Sequence, residues 1–128
     1  MREPMTHKLT IPGTLPGLNE YINAERTNKY RAAAMKKQAE HVIITLAKAK
    51  LRKPIKTPVK MRYTWYEKGK RRDMDNICAF GRKVIQDGLV KAGKLPGDGW
   101  KYICGFSDDF EVDKLNPRVE IIIEEVEV

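Results

Sequence analysis

Apolar residues recur at two different spacings along this 128-residue chain, and each spacing predicts one kind of element. From Val59 to Tyr66, apolar and polar side chains alternate, which predicts a strand with one buried face. Residues 28–50 and 75–92 carry apolar side chains at helical spacing, so we expect two amphipathic helices, the second closed by Gly93. Shorter apolar runs predict three further strands, over residues 7–11, 100–106 and 118–128.

The order of these elements, β-α-β-α-β-β, predicts the fold class. A mixed sheet of about four strands packed against two helices, of the α/β (α+β) class, fits that order. A chain of 128 residues has room for one compact domain, and no internal repeat or low-complexity segment divides it. We therefore expect a single small domain over residues 1–128.

Composition excludes several classes of protein. No apolar run approaches the roughly 18 to 20 residues that a membrane helix needs, so no membrane partner is expected. The first residues lack the apolar stretch of a secretory signal. The two cysteines, Cys78 and Cys104, are too few for a disulfide framework or a four-ligand zinc site. These features favour a reduced, cytoplasmic protein.

Charge is distributed unevenly between the two halves of the chain, which carries a formal net charge of +8. Residues 1–72 contain 18 Lys or Arg against 5 Asp or Glu, whereas residues 73–128 contain 7 against 12. A basic half that could hold phosphates is thus joined to an acidic half that could hold a metal ion. The alternative is a solvated basic surface with an acidic C-terminal edge, and charge alone does not separate the two.

Two acidic motifs lie in the second half of the chain. Asp73 and Asp75 are two residues apart and, with Asn76, offer hard oxygen ligands of the kind that Mg2+ prefers. Their structural alternative is a helix cap followed by an acid in the first helical turn. Asp108 and Asp109 follow a predicted strand, and such a pair is tolerated in a wet turn or neutralised by a divalent cation.

A third pattern lies on the second predicted helix. Asp75, Ala79, Lys83 and Asp87 recur at steps of four residues, so they share one stripe of the helix surface. Taken alone, Lys83 and Asp87 would form an exposed ion pair that contributes about 0.2 to 0.5 kcal/mol.

The three motifs together resemble the RusA family of Holliday junction resolvases, in residue type and in order. The matching segments are Asp73-Met-Asp-Asn, Lys83-Val-Ile-Gln-Asp-Gly-Leu and Asp108-Asp-Phe-Glu-Val. The segment Leu15-Pro-Gly-Leu-Asn-Glu-Tyr, followed by a Lys-rich helix, is similar to the family's opening segment. The resemblance implies a small homodimeric endodeoxyribonuclease of bacteria or their phages that cuts four-way DNA junctions in recombination and repair. It also implies Mg2+ as the cofactor, with Mn2+ as a substitute.

The resemblance implies roles for individual residues as well. The metal-binding, catalytic acids fall on Asp73, Asp75 and Asp109, and a catalytic lysine falls on Lys83. Supporting positions are matched by Asn76, Asp87 and Asp108. The basic residues just before the first acids are expected to hold flanking DNA phosphates, and they are Lys68, Lys70, Arg71 and Arg72.

One departure from the family pattern concerns the lysine. The usual position lies four residues after the second acid of the first motif, where this chain has Ala79. Counting back from Asp87 restores the match at Lys83, so we infer one extra helical turn, which moves the lysine by roughly 6 Å along the helix axis.

The main alternative is a noncatalytic nucleic-acid-binding protein whose basic half makes all of the contacts. In that case Asp73, Asp75 and Asp109 are caps and solubility residues that lie apart in the fold. A restriction-type nuclease is set aside, because the Glu-x-Lys that usually accompanies its acid is not found near these residues.

Overall fold

The computed structural model describes residues 5–126, which form one four-stranded mixed sheet and three helices. The elements, in chain order, are β1 (Thr6–Pro12), α1 (Leu18–Thr27), α2 (Lys29–Lys50), β2 (Val59–Glu67), α3 (Met74–Lys91), β3 (Ile103–Val112) and β4 (Arg118–Glu125). The predicted small, mixed α/β class is confirmed. The observed order is β-α-α-β-α-β-β, with one helix more than the sequence predicted.

The strands are arranged in the order β1-β4-β2-β3. Strand β4 is antiparallel to both β1 and β2, whereas β2 and β3 are parallel neighbours. Parallel neighbours need a crossover connection, and α3 supplies it. The β2-α3-β3 unit therefore brings the start of α3 and the carboxyl ends of both strands to one edge of the sheet.

The core lies between one face of the sheet and the helices. Along β2 the predicted alternation is confirmed, since Val59, Met61, Tyr63 and Trp65 are buried. These side chains belong to a single core cluster with buried residues of α2 and α3, such as Ile43. Burial of large side chains such as these is the main favourable contribution to folding.

Helix α1 was not predicted, because residues 18–27 carry few apolar side chains. Its start is fixed locally, since the Glu20 carboxylate accepts a hydrogen bond from the Gly17 amide at 3.3 Å. Its packing is tertiary: the Tyr21 ring stacks on Phe80 of α3 with centroids 4.6 Å apart. Asn28 then interrupts the helix in an extended conformation and caps α2, accepting a hydrogen bond from the Tyr30 amide at 2.8 Å.

Strand β3 differs most from its prediction. The sequence predicted a strand over residues 100–106 with the acid pair in the turn that follows it, but the observed strand runs from Ile103 to Val112. Asp108 and Asp109 therefore lie inside the strand, paired in register with Tyr63 and Thr64 of β2. Backbone pairing with β2 overrides the low strand propensity of aspartate. The two polar side chains can be accommodated because β3 is an edge strand that packs only partly against the core.

The remaining predicted boundaries agree within one or two residues. Helices α2 and α3 match, and Gly93 follows α3 with the positive φ of 75° that glycine tolerates at such a position. The last predicted strand is confirmed as far as Glu125, and residues 127–128 lie outside the described part of the chain. Within residues 5–126, every helix is too short or too polar to cross a membrane.

Candidate functional site

The start of helix α3 presents the first two candidate acids. Asp73 occupies the N-cap position in an extended conformation, yet its side chain makes no capping hydrogen bond. Asp75 lies in the first turn, and both side chains are exposed. The positive end of the helix dipole favours negative charge at this place. The capping role that was the structural alternative for Asp73 is therefore not filled by its carboxylate.

Asn76 has a positioning role between two helices. Its side-chain oxygen accepts a hydrogen bond from the Asn19 amide at 2.8 Å, which ties the start of α1 to the start of α3. Gly17 lies so close that a Cβ at this position would stand 2.8 Å from the same oxygen, so a larger residue would push the two segments apart. The supporting role predicted for Asn76 thus takes the form of a link between segments.

The two aspartates of β3 lie on opposite faces of the strand, because successive side chains alternate. Asp108 faces α3: its Oδ1 accepts a hydrogen bond from Trp65 Nε1 at 2.9 Å, and its Oδ2 forms an ion pair with Arg82 of α3. Asp109 is exposed and is paired in register with Thr64 of β2. The fold therefore brings Asp108 to α3, whereas the resemblance assigns the metal-binding role to Asp109.

Arg82 links Cys78 of α3 to Asp108 of β3, because its Nη1 donates to Cys78 Sγ at 3.1 Å and pairs with Asp108 Oδ2. Burial raises the pKa of the Cys78 thiol, the nearby Arg82 guanidinium opposes that shift, and the negative charges of Asp108 and Asp75 add to it. Sequence reasoning missed Cys78 and Arg82, although their spacing of three and seven residues from Asp75 puts all three on one helix face.

The aspartates fall into two sets by their partners within residues 5–126. The paired aspartates, each in an ion pair with Lys or Arg, are Asp87, Asp98, Asp108 and Asp113. In the described part of the chain, three others have neither an ion pair nor a side-chain hydrogen bond; these unpaired aspartates are Asp73, Asp75 and Asp109. They are the three residues to which the resemblance assigns metal binding.

The donor chemistry of the unpaired aspartates fits Mg2+, which takes carboxylate oxygens together with water and substrate phosphate oxygens. No three His, Cys, Asp or Glu side chains of residues 5–126 are close enough together to hold a metal ion by themselves. Asp73 and Asp75 could supply one or two ligands, which is the number that Mg2+ usually takes from a protein when a phosphate supplies others. Metal binding by these residues stays a prediction.

Of the four basic residues before Asp73, one forms an ion pair and three do not form one with any described residue. Arg72 is bidentate to the buried Glu67, with Nε–Oε1 and Nη2–Oε2 distances of 2.9 Å, and it also donates to the Leu15 carbonyl at 3.2 Å. Its guanidinium holds the segment between β2 and α3 in place. The exposed cations, which have no ion pair among the described residues, are Lys68, Lys70 and Arg71. Of these three, Lys70 lines a groove of about 610 Å³ that Arg72 and Asp73 also line.

Lys83 takes part in a separate network in the second half of α3. Its Nζ lies 3.2 Å from Asp87 Oδ1 and 3.3 Å from Asp98 Oδ2, and these hydrogen bonds raise the pKa of the ammonium group. The ion pair expected between Lys83 and Asp87 is present. Asp98 was missed by sequence reasoning, and its only signal is an acid within a Pro- and Gly-rich loop. Lys83 follows Asp75 by eight residues, or about 12 Å along the axis.

Much of the charge in the basic half has no partner of opposite sign. Around the C-terminal end of α2, five exposed cations form no ion pair with any described residue; they are Lys48, Lys50, Arg52, Lys53 and Lys56. Lys36 differs, because its Nζ lies 3.4 Å from Asp87. Clustered, unpaired cations are the electrostatic footprint expected of a surface that binds phosphates.

The resemblance to the RusA family rests on the quoted motifs, and the geometry adds the distinction between paired and unpaired aspartates. The sequence matches no protein-family model, and no curated protein matches it either.

Proposed function

We propose that this protein is a magnesium-dependent endodeoxyribonuclease that binds and cleaves four-way DNA junctions in recombination and repair. The observation that carries the proposal is that the family resemblance and the pattern of ion pairs point to the same three aspartates. The resemblance selects Asp73, Asp75 and Asp109 as metal ligands, and these are the aspartates that the described chain leaves without a cation. A carboxylate without an internal partner keeps its oxygens available to a cation from solution.

The residues at the start of α3 would hold the metal ion and the scissile phosphate. Asp73 and Asp75 offer carboxylate oxygens, and the positive end of the helix dipole favours an anionic phosphate beside them. Mg2+, when bound, supplies an activated water and stabilises the charge that develops on the phosphate. Strand β3 would contribute the third carboxylate: Asp109 by the resemblance, with Asp108 as the competing residue because it faces α3.

The surrounding cations would position the DNA. Lys68, Lys70 and Arg71 are exposed just before Asp73, and Lys70 lines the groove. They would contact phosphates on either side of the cut. Lys83 would neutralise charge on a phosphate farther along α3, which requires its ammonium to exchange Asp98 for the phosphate. Arg82, held by Asp108, would keep the β3 carboxylate and α3 at a fixed separation.

The proposal includes a homodimer in the cytoplasm of a bacterium or of a phage-infected cell. A four-way junction has symmetrically placed phosphates, so two copies related by a two-fold axis would present two equivalent sites.

The test is cleavage of a synthetic four-way junction in the presence of Mg2+, with a linear duplex as the substrate control. Wild type should cut two symmetrically placed strands of the junction, and removal of Mg2+ with EDTA should abolish cutting. Asp75→Asn should bind the junction as tightly as wild type, or more tightly, because it removes a negative charge near phosphate, and it should not cut. Glu25→Gln is the matched control, since Glu25 is an exposed acid of α1 to which the resemblance assigns no role. Full cutting by Asp75→Asn would contradict the site.

A noncatalytic nucleic-acid-binding protein is the second candidate. It is favoured by the absence of a three-residue metal cluster within residues 5–126 and by the unpaired cations at the end of α2. It predicts that wild type binds the junction without cutting it, with either Mg2+ or Mn2+. The same assay therefore decides between the two candidates.

A further inference from the structure

The loop between α3 and β3 exposes an aromatic side chain that is not part of the hydrophobic core. Trp100 is 95% exposed, whereas the other tryptophan of the chain, Trp65, is 1% exposed. Phe106 on β3 is 54% exposed. Both aromatic residues line one open cavity of about 460 Å³, together with Gln86 of α3 and Cys104 of β3. Aromatic rings held in the open are typical of surfaces that bind another molecule.

We propose that this cavity, the aromatic pocket, binds an unpaired DNA base by stacking on Trp100 and Phe106. The inference rests on the proposed function to the extent that the ligand is DNA. Unpaired bases stack on aromatic side chains regardless of sequence, because every base has a flat π face. An amide at the wall would meet a base edge: Gln86 uses Nε2 to donate to the Tyr63 hydroxyl at 3.2 Å and has its Oε1 left to accept.

The charges around the aromatic pocket favour a nucleic-acid strand. The only acid among the lining residues is Asp98, and the ammonium of Lys83 lies 3.3 Å from it. Lys101 directly follows Trp100 and is exposed, so it could meet a backbone phosphate. A second copy of this chain, with the same basic surface, would meet repulsion at this place.

The aromatic pocket is continuous with the candidate active site through Arg82. The guanidinium of Arg82 lies 4.6 Å from the centre of the Phe106 ring and also pairs with Asp108. Phe106 and Asp108 are two residues apart on one face of β3, or about 6.6 Å. A base stacked on Phe106 would therefore lie close to the ion pair of Arg82 with Asp108.

The experiment measures binding without metal, so that cutting plays no part. A labelled ten-nucleotide oligothymidylate and a blunt ten-base-pair duplex are titrated in EDTA, with anisotropy reporting affinity and intrinsic fluorescence reporting Trp100. Wild type should bind the single strand with quenching of the exposed tryptophan, and Trp100→Phe should keep the affinity but lose the quenching. Trp100→Ala should lose about tenfold or more for the single strand and less than twofold for the duplex. Leu115→Ala is the control, because Leu115 is equally exposed at 95% in another loop.

Several outcomes would overturn the inference. They are unchanged single-strand affinity in Trp100→Ala, no quenching in wild type, no binding of the single strand at all, and an equal loss for strand and duplex. A loss of affinity that accompanies dissociation of a dimer, seen by sedimentation, would assign the aromatic pocket to contact between copies instead. Failure of the proposed function would give a different result from failure of this inference. If the single strand quenches the tryptophan fluorescence of wild type but wild type never cuts a junction, only the nuclease proposal is contradicted.

Discussion

The paired and the unpaired aspartates occupy neighbouring parts of one structural unit, β2-α3-β3, and they differ in what they can still bind. The paired set is held by Lys and Arg, as in the network of Lys36, Asp87, Lys83 and Asp98 along the second half of α3. Asp73 and Asp75, at the start of the same helix, have no such partner among residues 5–126. The acidic half of the chain is therefore not one surface. Pairing divides it into a part that is neutralised internally and a part whose carboxylates have no cation partner among residues 5–126.

The largest expected effect separates the two aspartates of β3. We predict that Asp109→Asn lowers the single-turnover rate of junction cleavage at least about 100-fold and leaves the free energy of unfolding within about 0.5 kcal/mol of wild type. Asp108→Asn should instead lower the free energy of unfolding by about 1 to 3 kcal/mol, because it leaves the half-buried Arg82 without its partner. Urea unfolding and cleavage of a synthetic junction measure the two effects. An active Asp109→Asn beside a folded but inactive Asp108→Asn would assign the third ligand to Asp108.

A somewhat smaller effect is expected at Lys83. Lys83→Ala should lower cleavage about tenfold to 100-fold at saturating DNA, with junction binding and folding nearly unchanged, if its charge stabilises the phosphate. Asp98→Asn is the matched control, because it removes the same ion pair and keeps the ammonium. Ala79→Lys combined with Lys83→Ala should not restore activity.

Equal, small effects of Lys83→Ala and Asp98→Asn would show that Lys83 acts only within its ion pairs. Recovery of activity in the double variant would show that the usual family spacing meets the phosphate.

The cations before Asp73 extend the comparison to positive charges. Arg72→Ala should lower the free energy of unfolding by about 2 kcal/mol, since the buried Glu67 loses both hydrogen bonds of the guanidinium. Arg71→Ala should leave stability unchanged and flatten the dependence of junction affinity on salt by about one unit in the log-log slope. Chemical unfolding and gel-shift titrations at several salt concentrations measure these changes. An unchanged slope in Arg71→Ala would place the DNA elsewhere.

The smallest effect concerns the pH dependence of the paired set. The hydrogen bond from Lys83 lowers the pKa of Asp98, so this pair stabilises the fold above the pKa of an unfolded aspartate, near 4. The contribution is lost as pH falls through the lowered pKa. We therefore expect Asp98→Asn to be slightly less stable than wild type at pH 7, by no more than a few tenths of a kcal/mol, and equally stable at pH values below the lowered pKa of Asp98. A difference in urea midpoint that stays constant with pH would contradict this.

Local pattern was sufficient for much of the fold. Strand β2 was predicted from its period of two, α2 and α3 from helical spacing, and the pair of Lys83 and Asp87 from a separation of four residues. Each of these features depends on residues close together in the chain, so their geometry follows from a single element. The identity of the candidate acids was also reached from the sequence, through motifs whose order resembles a known family.

Other features depended on contacts between distant segments. Helix α1 is too polar and short to be recognised alone, and its stacking of Tyr21 on Phe80 joins residues 59 positions apart. The extension of β3 through Asp108 and Asp109 follows from pairing with β2, which no property of the aspartates indicates. Trp100 shows the converse: its sequence context predicted a strand, and the structure leaves it in an exposed loop.

The sequence by itself determined the class of the fold, two of the three helices, and the basic and acidic halves. Through the family resemblance it also named the candidate acids of a metal site, which stay a prediction. Only the tertiary structure decided which of those acids are already paired and which face of β3 each aspartate occupies. The reason is that a shift of one residue in strand register moves a side chain to the opposite face. Ion pairs such as Arg82 with Asp108 likewise join residues that only the packing of α3 against the sheet brings together.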